Sequence, residues 1–154
     1  VARSPLMTRV ELETFVEGTT HYFLTAANQA ASVGSPYLVN EGIPGIQEYT
    51  GIITVAGKRK GIVYFTASRP MLTVLLMRLG ETEMTHENMC DLVGEVANQI
   101  SGNARRDFGN EFMISVPRVI TGQPEHAVTP ANTRSFVIPI NWRSHSAQLV
   151  VCLD

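Results

Sequence analysis

The chain has 154 residues, of which 44% are hydrophobic and 17% charged, and its formal net charge is −2. That composition is globular, long enough to bury a core, and unlike a disordered chain. No basic block occurs beyond Lys58 to Lys60, which argues against a nucleic-acid partner.

Thr8 opens a helical rhythm, with Glu11 three residues on in capping-box spacing. Val10, Phe15, Tyr22, Phe23 and Ala26 recur at helical intervals, so the pattern predicts a helix to about Ala31, closed by Gly34 and Pro36. YLVN at Tyr37 to Asn40 is a weaker strand candidate. YTGIITVA and GIVYFT, joined by GKRK, predict an antiparallel hairpin whose basic tip is solvated. Ser68 as N-cap, Pro70 in the first turn and Gly80 at the end frame a short helix. Its apolar run MLTVLLMRL is too short to span a bilayer and contains Arg78. A second long helix is predicted from about Thr85 to Phe108, stopped by Gly109. Then come EFMISVPRVITG, broken at Pro117, the polar loop GQPEHAVTPANT, and the strands SFVIPINW and AQLVVCLD around RSHS. A helix precedes a set of strands twice, without a residue-level repeat. The expected fold is α+β, a mainly antiparallel sheet with two long helices packed on it, in a single domain over residues 1–154.

On a wheel of about 100° per residue, Met89, Leu92, Val93, Val96, Ile100 and Ala104 share one arc, the predicted core face, with Cys90 and Ala97 at its margin. Asp91, Glu95, Asn98 and Gly102 share the opposite side, flanked by Arg105 and Arg106. Two glycines, Gly94 and Gly102, interrupt this helix, at roughly 1 kcal/mol each relative to alanine. A glycine on an outward face makes sense where something approaches the backbone closely. The Asn98 amide is donor and acceptor, with no useful pKa, so it can orient a water molecule but cannot act as a base. Orienting an attacking water is what phosphoryl transfer asks for. Glu95 is suited to receive a cation. Neither makes a hydrolase alone, so the rest of such a site would come from a partner.

The string DLVGEVANQISGNARRDFG resembles the signature of the CheC/CheX/FliM superfamily, and is most similar to CheX, a phosphatase of bacterial chemotaxis. The motif is E-x-x-N, here Glu95 and Asn98, followed by Ile100 to Ala104. The resemblance extends from about Phe15 through the hairpin, MRLGE, SVPRVITGQ and LVVCLD. It implies removal of the phosphoryl group from the aspartyl-phosphate of a CheY-type response regulator. By resemblance, Asn98 orients the water and Glu95 pairs with the regulator's lysine. Mg²⁺ would belong to the regulator, with no cofactor or metal on this chain. Homodimerisation through the sheets is implied as well. A cytoplasmic location without membrane association is expected from the residues themselves, which include two cysteines in apolar company and show neither a signal peptide nor an apolar run of bilayer length. Asp91, Gly102, Arg105 and Arg106 are the candidate partner-binding residues. CheC-type relatives carry a second E-x-x-N on the first helix. Here Glu17 is followed by Thr20, which has no amide, so one site per chain is expected. FliM-type members lack the catalytic pair, and a non-catalytic module binding a regulator or the flagellar switch is the alternative.

The remaining chemistry-bearing residues are scattered. His21, His86, His126 and His145 show no metal-ligand spacing beyond His86 with Cys90. Cys90 and Cys152 read as buried thiols, Asn103 as a hydrogen-bonded structural residue, and Trp142 and Met113 as core or interface. No glycine-rich phosphate loop occurs, which speaks against nucleotide binding.

Overall fold

A computed structural model describes residues 7–39, 45–109, 112–124, 128–129 and 134–153. The predicted polar loop falls partly outside these residues, as do His126 and Asn40. The elements are α1 (Arg9–Thr25), β1 (Ser32–Val33), β2 (Tyr37–Val39), β3 (Tyr49–Gly57), β4 (Gly61–Ala67), α2 (Arg69–Arg78), α3 (His86–Phe108), β5 (Phe112–Ile114), β6 (Arg118–Thr121), β7 (Ser135–Trp142) and β8 (His145–Leu153).

Local signals set most boundaries. Thr8 and Glu11 form a reciprocal capping box on α1. Ser68 caps α2 and Thr85 caps α3 through their hydroxyls. Gly109 ends α3 at φ 85°, a value that favours glycine. The first helix is shorter than its rhythm predicts, ending at Thr25 rather than near Ala31. Beyond it the carbonyls have distant partners. Arg78 donates to Ala27 and Asn28, and the Trp142 indole donates to Gln29. Asn28 turns the chain at φ 51°. Val10 and Ala26 are exposed, while Phe15, Tyr22 and Phe23 are buried as expected.

The strands form one antiparallel sheet in the order β1–β7–β8–β4–β3–β5, with β2 also on β7 and β6 also on β3. Each edge is therefore a split strand. β1 and β2 line β7, and β5 and β6 line β3, the break in the latter falling around Pro117. The connectivity is a helix, a split strand and a hairpin, stated twice, with α2 between. Each copy lends its split strand to the other's hairpin, and β4 pairs with β8 at the centre. This is an internal twofold arrangement that the residue pattern did not display. The three helices share the main core with one sheet face, centred on Phe15, Phe23, Phe65, Val93 and Leu149. A smaller apolar cluster around Ile52, Tyr64 and Val150 occupies the other face.

The hairpin tip is only partly solvated. Lys58 and Lys60 are exposed, but Arg59 turns inward and places Nη1 3.4 Å from Oε2 of Glu11 on α1. Trp142 is buried in the core, whereas Met113 on β5 is 52% exposed.

Candidate functional site

Close backbone contact positions α3. Gly51 on β3 faces the helix, and a Cβ there would collide with the Val93 carbonyl. A Cβ on Gly94 would lie 3.3 Å from both Pro117 Cβ and Val119 Cγ2. These glycines let α3 settle directly on β3 and β6. Gly94 is thus explained by packing. On the α1 side, a Cβ on Gly18 would come 3.2 Å from the Ile100 carbonyl oxygen. Asn103, half-buried, donates from Nδ2 to Gly18 O at 3.3 Å, the structural role its place on the wheel predicts. At the N-terminal end, His86 Nδ1 meets Tyr49 Oη at 2.9 Å, and Arg69 Nη1 donates to the same hydroxyl at 3.2 Å.

The predicted core face is buried: Met89, Leu92, Val93, Val96, Ala97, Ile100 and Ala104 are all inside. Cys90 is half-buried, and Cys152 is buried. Burial, and secondarily the Asp91 charge, push the Cys90 thiol up from its ordinary value.

The opposite face carries the candidate residues. Asp91, Glu95, Arg105 and Arg106 are exposed, and Asn98 and Gly102 are half-buried. A Cβ on Gly102 would meet nothing within 4 Å, so packing does not explain this glycine. The Asn98 amide makes no hydrogen bond, and Asp91, Arg105 and Arg106 no ion pair, among the described residues. Glu95 does have a partner: Gln99 Nε2 donates to its Oε1 at 2.8 Å.

Two shallow hollows flank Glu95. One, of about 350 Å³, runs between α1 and α3 past Tyr22, Leu79, Leu92, Gln99 and Arg106. The other, of about 320 Å³, is lined by Glu81, Asn88, Asp91 and Leu92. Glu95 belongs to both, while Asn98, Gly102 and Arg105 line neither. The six predicted residues are therefore strung along one open face and not gathered into a pocket. Burial, then the Glu95 charge, raises the Tyr22 phenol well above its ordinary value, so Tyr22 stays neutral. Gln99 and Tyr22 are the neighbours of Glu95 that sequence reasoning passed over. The i, i+4 spacing of Glu95 and Gln99 was the available signal.

Chemically, this face offers a carboxylate for a cation and, one turn on, an amide able to hold a water. Among the described residues, no group of three or more His, Cys, Asp or Glu side chains could hold a metal ion. No helix among them is long and apolar enough to cross a membrane.

The family model "Chemotaxis phosphatase CheX" matches residues 49–141. No curated protein matches the chain. Among solved structures, the fold is similar to a CheC-like superfamily protein from Shewanella sp. PV-4, at 23% identity and TM-score 0.83, covering 96% of this chain and 99% of that one. It is similar to chemotaxis protein CheX from Desulfovibrio desulfuricans, at 23% identity and TM-score 0.82, covering 94% and 99%. It is also similar to a chain of the CheX–CheY–BeF3–Mg²⁺ complex from Borrelia burgdorferi, at 17% identity and TM-score 0.73, covering 93% and 97%.

Proposed function

The chain belongs to the CheX family of the CheC/CheX/FliM superfamily, and on that premise we propose that it accelerates hydrolysis of the aspartyl-phosphate of a CheY-type receiver domain. Water attacks phosphorus, the P–O bond to the aspartate breaks, and inorganic phosphate and a free carboxylate result. Asn98 orients the water through its amide, and Glu95 pairs with the receiver's lysine. Mg²⁺ sits on the receiver, as the makeup of the Borrelia complex suggests. Asp91, Gly102, Arg105 and Arg106 extend the docking face. The chain acts in the cytoplasm, where such receivers work, as one domain that pairs into a homodimer.

The observation that carries this reading is the uncommitted Asn98 amide one turn from an exposed Glu95, on a helix held against the sheet at Gly51 and Gly94. An amide free of internal hydrogen bonds can serve an incoming water without first breaking one. The test is to phosphorylate receivers from the same genome and follow phosphoryl decay with and without the protein. Asn98→Ala should lower the acceleration by about 10²-fold, the usual size for one positioned group, with circular dichroism unchanged. Glu95→Ala should weaken binding to the phosphorylated receiver. Absence of acceleration with every receiver would overturn the enzymatic reading. Binding that survives in Asn98→Ala, with no change in phosphoryl lifetime for the wild type, would identify a non-catalytic module.

A further inference from the structure

We infer that Gln99 is a positioning residue that presents the Glu95 carboxylate to a cationic group of the partner. The inference rests on the proposed docking role of Glu95. Gln99 lies one turn C-terminal to Glu95, is itself exposed, and donates its amide to Oε1 at 2.8 Å. One carboxylate oxygen is thereby held along the α1–α3 hollow, and Oε2 has no partner among the described residues.

The choice of a glutamine is informative. A lysine at this i, i+4 position would be the stronger helix-stabilising partner for glutamate. It would also cancel the charge on which docking depends. A neutral amide orders the carboxylate and leaves its charge intact. Tyr22 forms part of the opposite wall and, as a neutral phenol, does not compete for a cation. The hollow continues to Arg106, about three helical turns on. It therefore has a negative end fixed by Gln99 and a positive end. A partner bearing a lysine near a carboxylate cluster fits it in one direction only.

The ordering of Glu95 comes before binding, so removing Gln99 should act on association and not on the chemical step. Steady-state dephosphorylation of a phosphorylated receiver tests this with wild type, Gln99→Ala and Gln99→Lys. KM should rise about threefold in Gln99→Ala, the scale of ordering one long side chain at an interface. It should rise on the order of tenfold in Gln99→Lys, because the competing ammonium occupies Glu95. In both variants kcat should stay within about twofold. An unchanged KM, or a fall in kcat with KM constant, overturns the inference. So does a Gln99→Lys variant that docks better than Gln99→Ala.

A second readout does not depend on the phosphatase reading. In a ¹⁵N-labelled sample the Gln99 side-chain amide resonances should move on Glu95→Ala, and constancy there would show that the contact does not exist. If the wild type fails to accelerate any receiver while this resonance responds, the proposed function has failed and the contact has not. In that case receiver binding affinity replaces KM, with the same order of variants expected.

Discussion

Gly102→Ala separates a docking face from an ordinary solvated one. Gly102 is internal to α3, and a Cβ built on it meets nothing within 4 Å. Steric cost within the chain is therefore absent. Replacing a helical glycine by alanine removes roughly 0.8–1 kcal/mol of helix penalty. For a domain of this size that corresponds to a rise of about 2–4 °C in Tm. The effect on function has the opposite sign if a receiver backbone approaches this helix as proposed. A methyl group forced into a packed interface costs about 1–3 kcal/mol, so kcat/KM for the phosphorylated receiver should fall at least about fivefold. The assay pairs thermal unfolding with receiver dephosphorylation on the same preparation. A more stable protein with unchanged kcat/KM would refute the close approach at Gly102. A less stable protein would refute the claim that the glycine has open space around it.

Two further substitutions probe the scaffold. Gly51→Ala places a methyl against the Val93 carbonyl, a backbone atom that cannot swing away, so the variant should lose several kcal/mol. Chemical denaturation measures this, and a loss under ~1 kcal/mol would mean that α3 is not held as tightly as described. Cys90 should react slowly with a thiol reagent at neutral pH, because burial and then Asp91 raise its thiol. A raised value means less thiolate at a given pH, so the labelling rate should climb to its plateau at higher pH than for a free cysteine. Asp91→Asn removes one of the two causes and should speed labelling. A Cys90 that labels as fast as free cysteine would contradict this account.

The contrast between the two α3 glycines shows where sequence reasoning stops. Gly94 and Gly102 carry the same helix penalty and look alike in the string. Gly94 is set against Pro117 and Val119, and Gly102 faces open space. Contacts with β6, more than twenty residues away in the chain, decide which is which. The α3 boundaries were legible because Thr85 and Gly109 act locally. The end of α1 was not, because its departing carbonyls are satisfied by Arg78 and Trp142. Arg59 is a similar case: its neighbours in sequence predict a solvated tip, and Glu11 on α1 draws it inward. The E-x-x-N pair was legible as residues on one face. Side-chain chemistry suggested an oriented water and a bound cation, and only resemblance suggested a phosphatase, because half of the proposed site lies on another molecule.

The twofold arrangement clarifies why one helix, and not both, carries the candidate site. Setting Glu17 of α1 on Glu95 of α3 superimposes the two burial patterns. Phe15 falls on Val93, Gly18 on Val96, Thr19 on Ala97, Tyr22 on Ile100 and Phe23 on Ser101, and all ten residues are buried. Glu17 and Glu95 are both exposed, and Thr20 and Asn98 are both half-buried. At these positions the scaffold thus offers the same pattern of exposure twice. Within the E-x-x-N pair itself, the chemistry differs at the second residue. The Thr20 hydroxyl donates to the Glu17 carbonyl at 3.1 Å, a bond back to its own helix that short hydroxyl side chains readily make. The Asn98 side chain makes no such bond among the described residues. A hydroxyl committed to its own backbone cannot hold a water for attack, whereas a free amide can. On the proposed reading, both helices expose the carboxylate, and α3 alone follows it with an uncommitted amide.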